Sequence, residues 1–569
     1  MENNQLQQPL LVSSFKEIRT NNSIYVDKTN YIHKLLSDKK YRYWFLARPR
    51  RFGKTLLIDA LDHFFRGDED YFRGLSIHAH GYDFKPSPVI RLSLANTSSS
   101  PEELGKHIIY DLEDIADREQ LSLNRDLPSA ALVRLITLLR EKYQGASVAV
   151  LIDEYDKPIL DHLDNPKMAE SIRATLRDFY FGLKKVESDL RFVFVTGISK
   201  LAKTAIHSTL NNLNDITHDS TYAGICGYTE DEFLDNFSHL FDDFLISLDW
   251  LKKGKNKKDL INAILAKYNG YSWDGITEVL NPYSINNCFA QNNIGDYWLS
   301  TGPPLVLEHA IAKEPAAFFP NNLARLTAAE IDESEIGQIR PESILLQTGY
   351  LTIEKIEKIE RNSYGSDGFK YEEEVTFYTL KFPNLEVWSS YKTALFRAYF
   401  PYLSTQQEKL SCLTKLTDAI IDNNVSDLEK ILHSLLASTI CSQPAEWEKK
   451  WKNDPDLAET FFHSIFQSLF DGLGVNLIPE AITERGRSDI DLLLKEDIYA
   501  LIELKYIPKA NKKSLFTDKE SNSEDKIYNS SFYELKKSLQ RIKYWFRASE
   551  TIVIVIVLSD NADVFVKFY

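Results

Sequence analysis

The tripeptide Gly53-Lys54-Thr55 has the residue types of a phosphate-binding loop and stands where such a loop belongs. Tyr43–Ala47 before it has the pattern of a short aromatic strand, and Thr55–Phe65 has helical periodicity. Backbone amides at the start of a helix favour an anion. Lys54 would reach the β- and γ-phosphates of a nucleoside triphosphate, and the Thr55 hydroxyl would hold Mg²⁺.

The loop departs from the usual pattern, which begins with glycine five residues before the Gly-Lys pair. Arg48 stands at that position, and Arg50 and Arg51 follow on the other side of Pro49. Because proline fixes its own backbone, this composition predicts a stiff, positively charged loop. The tripeptide alone is therefore weak evidence for a nucleotide site.

Two adjacent acids follow an unbroken apolar segment of the N-terminal half. Val148–Ile152 predicts a buried strand, and Asp153 and Glu154 come directly after it. Ligands of α/β sheets bind beyond the carboxyl ends of the strands. Asp153 would hold Mg²⁺ through water, and Glu154 would polarise the attacking water. Taken alone, two acids that merely solvate a strand end explain the pattern equally well.

A third strand end supplies hydroxyl groups. The apolar segment Leu190–Thr196 runs into Gly197-Ile198-Ser199, which would place one or two hydroxyl groups beside the γ-phosphate. Three converging strand ends favour a nucleotide site over unrelated accidents. The predicted nucleotide-binding residues are Arg51, Phe52, Gly53, Lys54, Thr55, Asp153 and Thr196. Glu154 is the predicted catalytic residue, Thr55 and Asp153 are the predicted metal ligands, and ATP and Mg are the predicted cofactors.

The elements that must position these residues alternate between strands and helices over the first 225 residues, which predicts a parallel α/β sheet. Val89–Leu94 is a further predicted strand, and Pro101 to about Tyr143 is predicted as one long helical stretch. Strands that are apolar on both faces suit the middle of a sheet covered by helices. The fold class is therefore α/β, with a P-loop NTPase sheet at its N-terminal end.

The rest of the chain predicts three further parts. After a helical, aromatic-rich region comes a β-rich piece over Leu345–Leu380 with a polar turn, and helices then continue to about Leu473. The last hundred residues return to α/β, with predicted strands near 477–482, 489–494 and 500–504, a polar loop, a helix through 540 and two final strands. The predicted domains are 1–225 (P-loop core), 226–341 (helical lid or spacer), 342–455 (small β-rich piece and helical connector) and 456–569 (C-terminal α/β domain).

With these motifs in hand, the chain resembles the predicted AAA-ATPase-like proteins of bacteria over nearly its whole length. The segments that carry the resemblance are Tyr25–Thr29, Arg48–Thr55, Asp153–Asp156, Thr196–Lys200, Asn211–Ile216, Tyr268–Tyr271, Asn281–Ser284 and Gln347–Leu351. In that family the loop usually has the form Arg-Pro-Arg-Arg-Phe-Gly-Lys, so the missing glycine is a family trait. The resemblance identifies no arginine finger, and Arg173 and Arg177 are candidates only.

The same family commonly carries a C-terminal domain similar to PD-(D/E)xK nucleases, which implies a restriction-endonuclease-like fold here. Asp489 opens an apolar strand, and Glu503 and Lys505 follow fourteen and sixteen residues later in the next. Asp489 and Glu503 could share a Mg²⁺, while Lys505 would orient or deprotonate the attacking water. Gln540 and Tyr544 match a helical QxxxY pattern found in some of these nucleases.

This second site has weaker support than the first. The Asp…Glu-x-Lys pattern is short, Ser488 replaces the proline of the motif, and solvated strand ends are the default explanation without the resemblance. Glu459 and His463 share a helix face that could pack against the site, but His463 is more often a core histidine than a catalyst. Nearby basic residues that could contact a phosphate backbone are Arg485, Arg487, Lys509, Lys512 and Lys513. A solvated charged loop explains the last three equally well.

Composition sets the broad class. The 569 residues are 43% hydrophobic and 26% charged, which fits a globular protein, and the net charge of −15 argues against a general basic coat for nucleic acid. The four cysteines lack metal-clip spacing. The N-terminus lacks the pattern of a signal peptide, and Thr551–Leu558 is too short to span a bilayer. We therefore expect a cytoplasmic protein that does not bind membranes.

Two functional hypotheses follow. In the first, an ATP-binding and hydrolysing domain is coupled to a Mg-dependent nuclease-like domain that acts on DNA phosphodiesters. In the second, nucleotide binding operates a regulatory switch through the helical middle, and the nuclease-like domain binds nucleic acid or a partner without cutting. A plain adaptor protein would require both sites to be accidental. A homo-oligomer is possible, but no firm arginine finger argues for one.

Overall fold

The computed structural model divides into two compact units, which are considered separately. The first comprises Met1–Leu307 and Leu323–Ser390, and the second comprises Glu308–Asn322 and Tyr391–Tyr569. The residues that the structure describes are 8–96, 100–162, 165–200, 209–210, 212–298, 325–331, 340–364, 370–441, 455–477, 490–495, 498–507, 550–559 and 564–568.

A five-stranded parallel sheet forms the centre of the first unit. Its strands are β1 (Tyr43–Ala47), β2 (Val89–Ser93), β3 (Val148–Asp153), β4 (Leu190–Gly197) and β5 (Leu213–Asp215). They lie in the order β2-β3-β4-β1-β5, and all neighbouring pairs are parallel. The predicted sheet is confirmed, and its order places β4 between β1, which precedes the loop with Lys54, and β3, which precedes Glu154.

Helices cover both faces of this sheet. The helices that precede β5 are α1 (Phe15–Thr20), α2 (Thr29–Ser37), α3 (Lys54–Arg66), α4 (Ser76–Ala79), α5 (Pro101–Arg118), α6 (Pro128–Lys142), α7 (Lys157–Leu160) and α8 (Pro166–Lys185), with 3-10 turns at Glu69–Phe72 and Glu187–Asp189. Alternate strand residues such as Phe45 and Val150 join α5, α6 and α8 in one apolar core. The opposite strand face packs on α3, where the rings of Phe65 and Phe192 lie 5.3 Å apart. These strands are apolar on both faces because both faces are covered.

The prediction of one long helix from Pro101 to about Tyr143 is wrong. Two helices occupy that stretch, α5 and α6, and Gln120 between them adopts a left-handed backbone conformation. Pro128 provides the physical reason, since proline disfavours a helical preceding residue but fits the first position of a new helix.

The predicted helical region after β5 is confirmed within the described residues. It contains α9 (Glu230–Phe237), α10 (Phe241–Ser247), α11 (Lys257–Tyr268) and α12 (Pro282–Ala290), with 3-10 turns at Ser220–Tyr222, Ser238–Leu240 and Leu251–Lys253. Its aromatic residues explain its packing, because phenylalanines of α9 and α10 surround Phe289 of α12 in a core of their own. Thr229 and Glu232 form a reciprocal capping box that starts α9.

The β-rich piece begins later than the sequence predicted. Leu345 lies in a helix, α14 (Pro341–Thr348), which ends at Gly349. The following strands β7 (Thr352–Tyr364) and β8 (Lys370–Lys381) form an antiparallel sheet with β6 (Arg325–Thr327), next to the short helix α13 (Ala328–Ile331). The apolar run Ile344, Leu345 and Leu346 suits a buried strand or a buried helix equally well, and here the glycine at the C-terminal end identifies the helix.

Helices and a second sheet build the second unit. Its helices are α15 (Leu385–Tyr399, shared with the first unit), α16 (Gln406–Ile421), α17 (Val425–Cys441) and α18 (Pro455–Gly472). The strands β9 (Asn476–Leu477), β10 (Ile490–Lys495), β11 (Ile498–Ile507), β12 (Glu550–Ser559) and β13 (Val564–Phe568) lie in the order β13-β12-β11-β10-β9. Only β11 and β12 are parallel. The predicted helices and the two final strands are confirmed, whereas the polar loop and the helix through Gln540 lie outside the described residues.

Within the described part of the chain, none of the helices combines the length and the apolar character needed to cross a membrane.

Candidate functional site

The loop that begins at Arg48 leaves the end of β1 and enters α3 as the motif predicts. The amide of Arg48 donates a hydrogen bond to the Gly197 carbonyl at 3.1 Å, which joins the start of the loop to β4. Arg51 and Gly53 both adopt positive φ, at 67° and 92°. Gly53 precedes the first residue of α3, where a left-handed turn strains any residue other than glycine. The loop is thus fixed at both of its ends.

Lys54 lies inside the loop. Its side chain is buried, with the residue 7% exposed, and its ammonium donates hydrogen bonds of 2.8 Å to the carbonyls of Arg48 and Pro49. Burial lowers the pKa of Lys54, while the negative charges of Asp153, Asp156 and Glu154 act in the opposite direction. These charges act on Lys54 because the strand ends bring them close to it.

The two acids after β3 differ in environment. Asp153 is 5% exposed, and its Oδ1 accepts a 2.9 Å hydrogen bond from the Glu154 amide. Glu154 is half-buried and adopts a left-handed backbone conformation with φ of 50°. Burial raises the pKa of Glu154, and the charge of Asp153 raises it further. A carboxyl group with a raised pKa is a stronger base once ionised, which suits a group that takes a proton from water.

The hydroxyl groups at the end of β4 and just beyond it are engaged within the protein. The Thr196 hydroxyl donates a 2.7 Å hydrogen bond to the Leu46 carbonyl in the middle of the sheet, and Thr196 is fully buried. The Ser199 hydroxyl donates to Asp156 at 2.7 Å, and Asp156 also accepts the amides of Ile198 and Ser199. A role for Thr196 at the γ-phosphate stays a prediction, and any such contact would compete with its bond to β1.

Asp156 is a residue of this edge to which sequence reasoning gave no role. It is fully buried, and burial raises its pKa against the hydrogen bonds that lower it. It fixes the turn that follows β4 by holding two consecutive amides. The sequence offered one hint of this role, which is the position of Asp156 three residues after Asp153. A buried acid needs hydrogen-bond donors, so a third acid next to the pair suggests a structural role.

Arg48 does not contribute a charge to the loop surface, contrary to the expected positively charged loop. The residue is 0% exposed, and its guanidinium donates hydrogen bonds to the carbonyls of Ala47, Thr217 and Tyr222. It also lies 4.1 Å from the ring centre of Trp273. Burial lowers the pKa of Arg48 to about 10. The arginine thus takes the place of the usual glycine by pointing into the protein.

Aromatic residues from the helical region enclose the remainder of the loop. Phe52 is buried between Tyr271 and Trp273, with ring centres 4.7 and 5.3 Å apart. Arg51 lies over the ring of Tyr283 at 4.8 Å. Sequence reasoning marked these tyrosines as parts of motifs but assigned them no role, because residues more than 200 positions apart give no local signal of contact.

Helix α14 reaches the loop from a greater sequence distance. Gly349, which ends the helix, has φ of 90°, and a Cβ there would lie 2.6 Å from the Cβ of Pro49. The Gln347 side chain accepts a 2.8 Å hydrogen bond from the Lys200 amide beyond β4. The family motif Gln347–Leu351 is therefore part of the surroundings of the loop.

The two candidate arginine fingers lie on α8. Arg173 forms an ion pair with Glu170 at 3.0 Å, and Arg177 is exposed. Their role stays a prediction.

The second predicted site is only partly within the described residues. The backbone positions of Glu503 and Lys505 lie in β11 opposite Val555 and Val557 of β12. Their side chains, and the residues Asp489, Gln540 and Tyr544, lie outside the described part, as do Arg485, Arg487, Lys509, Lys512 and Lys513. His463 lies partly buried on α18, and the Glu459 side chain is not described. Ile490 of β10 pairs with Ile502 of β11.

Comparison with known proteins gives a family and a relative. A family model described as "Predicted AAA-ATPase" matches residues 9–207, which include the loop, both acids and Thr196. The chain is also similar to a protein of Azotobacter chroococcum mcd 1 described as "Uncharacterized protein in vnfD 5'region". The two are 32% identical over 512 residues, which cover 88% of this chain and 89% of the relative.

Proposed function

The chain belongs to the predicted AAA-ATPase-like family, and on that premise we propose that it binds ATP with Mg²⁺ at the loop from Arg48 to Thr55 and hydrolyses it. One observation carries the proposal. The loop, with Lys54 buried at its centre, stands at the edge of the parallel sheet where β1, β3 and β4 all end. Ligands of α/β sheets bind at this edge.

The residues at the edge fit the chemistry of phosphoryl transfer. Lys54 would exchange a loop carbonyl for a phosphate oxygen, and the amides at the start of α3 would hold the same phosphates. The Thr55 hydroxyl and the Asp153 carboxylate offer the oxygen atoms that Mg²⁺ prefers. The metal would neutralise charge on the transferred phosphoryl group. Glu154 would orient the attacking water and accept its proton.

Two substitutions test this proposal. We expect Lys54→Ala to abolish binding of fluorescent ATP, and Glu154→Gln to retain binding but lower the hydrolysis rate by about 10²-fold or more. Lys106→Ala, which removes an exposed lysine of α5, is the control and should match the wild type. Unchanged hydrolysis in both site variants would refute the assignment.

For the second unit, we propose a Mg-dependent nuclease-like site that acts on DNA and is coupled to the ATPase. It is favoured by the register of β10 and β11, because Ile490 directly follows Asp489 and its partner Ile502 directly precedes Glu503. We propose that Asp489 and Glu503, which are the next residues of the sequence beyond this pair, share a metal ion. Lys505 would then act on the attacking water. DNA binding, a homo-oligomer and a cytoplasmic location likewise remain proposals.

Cleavage of linear and circular DNA with Mg²⁺ tests this second proposal. We expect cleavage by the wild type and none by Asp489→Ala, with Lys54→Ala reporting whether cleavage needs ATP. No cleavage under any condition would favour the alternative, in which the second unit binds nucleic acid or a partner without cutting and ATP operates a switch.

A further inference from the structure

A cavity of about 590 Å³ opens at the amino-terminal edge of the parallel sheet. It is lined by Arg42 before β1, Arg191 at the start of β4, and Leu213 at the start of β5. These three strands are parallel neighbours, so the cavity lies at the end of the sheet opposite the loop from Arg48 to Thr55. At about 3.3 Å per residue, the five residues of β1 separate the two by about 16 Å. The cavity is therefore distinct from the proposed ATP site.

The cavity carries excess positive charge in a chain whose net charge is −15. Its lining includes four cations, Lys39, Lys40, Arg42 and Arg191, against the two carboxylates of Asp38 and Glu187. Such a local excess of cations attracts anions even on an acidic protein, because fields are focused in a concave surface.

Both arginines already donate hydrogen bonds to other residues of the protein. Arg42 donates to the Glu187 carbonyl, and Arg191 donates to the Lys85 carbonyl at 3.2 Å and to the Ser87 hydroxyl. Guanidinium groups held in this way form the wall of the cavity. They are therefore not available for a bidentate hydrogen bond to a carboxylate ligand.

The two lysines differ from the arginines in the exposure and the ion pairing of their charged groups. Lys39 and Lys40 are both exposed, and among the described residues no carboxylate lies within ion-pair distance of either ammonium. Asp38 instead accepts the Lys40 amide at 3.0 Å. A pair of free ammonium groups acts as point charges, which suits phosphate oxygens.

Neutral groups in the lining suit a nucleobase. Tyr41 is 43% exposed, and its ring packs edge-on against Trp44 at 5.5 Å, which holds its face in place. Exposed aromatic rings beside cations are the usual platform on which bases stack. The amides of Asn212 and Asn214 line the same cavity, and amides can both donate to and accept from base edges. Asn212 is oriented by a 2.8 Å bond to Glu187.

We propose that this cavity binds a nucleotide unit, with its phosphate at Lys39 and Lys40 and its base against Tyr41 and Asn214. Its volume lies within the usual range of about 300–1,000 Å³ for small-ligand sites. The unit could be a free nucleotide or one residue of a single-stranded nucleic acid, since both present the same phosphate and base.

The test measures two probes on the full-length chain. They are a fluorescent single-stranded oligothymidylate of about 20 nucleotides and thymidine monophosphate, neither of which carries a triphosphate for the loop at the other edge. We expect the double variant Lys39→Ala/Lys40→Ala to bind at least one probe about tenfold more weakly at about 50 mM salt. For the oligonucleotide, the slope of log K against log salt should fall by about 1.4, at about 0.7 per lost phosphate contact.

The matched control is Lys252→Ala/Lys253→Ala, which removes two adjacent lysines from the 3-10 turn Leu251–Lys253. It should bind as the wild type does. A loss restricted to the oligonucleotide identifies a nucleic-acid strand as the ligand, and a loss for the monophosphate identifies a free nucleotide. Equal binding by both double variants, no binding of either probe by the wild type, or lysine-dependent binding of an acidic peptide alone would overturn the proposal. Since ATP is absent, failure of the ATPase assignment would leave this test intact.

Discussion

At the residue scale, Arg48 shows how a loop can lose its first glycine and keep its shape. A buried guanidinium is costly unless its donors are satisfied, and here three carbonyls accept from the two terminal nitrogens while the face of Trp273 covers the group. Its Nε has no acceptor among the described residues. The sequence suggested a positive loop surface because it shows the charge but not the acceptors. Thr217 and Tyr222 follow Arg48 by about 170 residues, so only the fold brings them together.

Glu386 gives a prediction at the same scale. It is fully buried and accepts the Ser284 hydroxyl at 2.7 Å and the amides of Tyr297 and Trp298 at 2.6 and 2.8 Å. We expect Glu386→Ala to lower the free energy of unfolding by about 3 kcal/mol or more, because it leaves buried donors without an acceptor. Glu386→Gln keeps a carbonyl for both amides, so we expect a change within about 1 kcal/mol. Calorimetry of the two variants measures the difference, and equal losses would contradict this view.

The pH dependence of the glutamine variant has a definite sign. Burial raises the pKa of Glu386 in the folded protein above its ordinary value. As pH rises past that ordinary value, the unfolded chain releases its proton first, so the wild type loses stability until the folded carboxyl also ionises. Glutamine does not titrate. The stability of Glu386→Gln relative to the wild type should therefore increase with pH in mildly acidic solution and then become constant.

At the element scale, the loop from Arg48 to Thr55 packs against elements that sequence patterns predicted but did not connect to it. Periodicity correctly indicated the four long strands of the parallel sheet and the helix after the loop. It did not indicate that α14 and the aromatic segment before α12 pack on that loop. The spacing of apolar residues, every 3.6 residues in a helix or every 2 in a strand, shows which face of an element is buried. It does not show which other element covers that face.

The contact between α14 and the loop gives an element-scale prediction. Gly349→Ala would strain the left-handed end of the helix and push a Cβ to within 2.6 Å of Pro49. Gly254 ends a 3-10 turn with φ of 72° and has open space around it, so Gly254→Ala is the matched control. We expect Gly254→Ala to cost about 1–2 kcal/mol of stability from backbone strain alone. Gly349→Ala should cost more, because its new Cβ must also displace Pro49. Only Gly349→Ala should also weaken binding of fluorescent ATP, and equal ATP affinity in both variants would show that Pro49 does not control the loop.

At the scale of the whole molecule, the sequence predicted the class and the edge of the sheet where the candidate site lies. The register of the strands shows that the loop, the acid pair and Thr196 share that edge. The C-terminal fold stays a prediction, because its four proposed catalytic side chains are not described and a five-stranded mixed sheet alone does not identify a nuclease. The four-part division of the chain also stays a prediction.

A truncation tests whether the predicted core of residues 1–225 can act alone. That fragment lacks Tyr271, Trp273 and Gly349, so Phe52 and Pro49 would lose the residues that bury them. We expect the fragment to aggregate or to bind no fluorescent ATP, because burial of a large aromatic side chain contributes about 2–3 kcal/mol. A fragment of residues 1–404, which keeps these three residues and the whole of α15, should bind ATP. Binding of ATP by the shorter fragment with the affinity of the full chain would contradict the prediction.

The contact of Gly349 with Pro49 also has a consequence during synthesis of the chain. About 300 residues separate the two, and ribosomes add about 5–20 residues per second. The loop therefore leaves the ribosome about 15–60 s before the residue that closes over it has been made. Phe52 likewise has no aromatic partners until Tyr271 and Trp273, about 220 residues after it, have been made. We therefore expect the surroundings of this loop to be completed only after more than half of the polypeptide has been made.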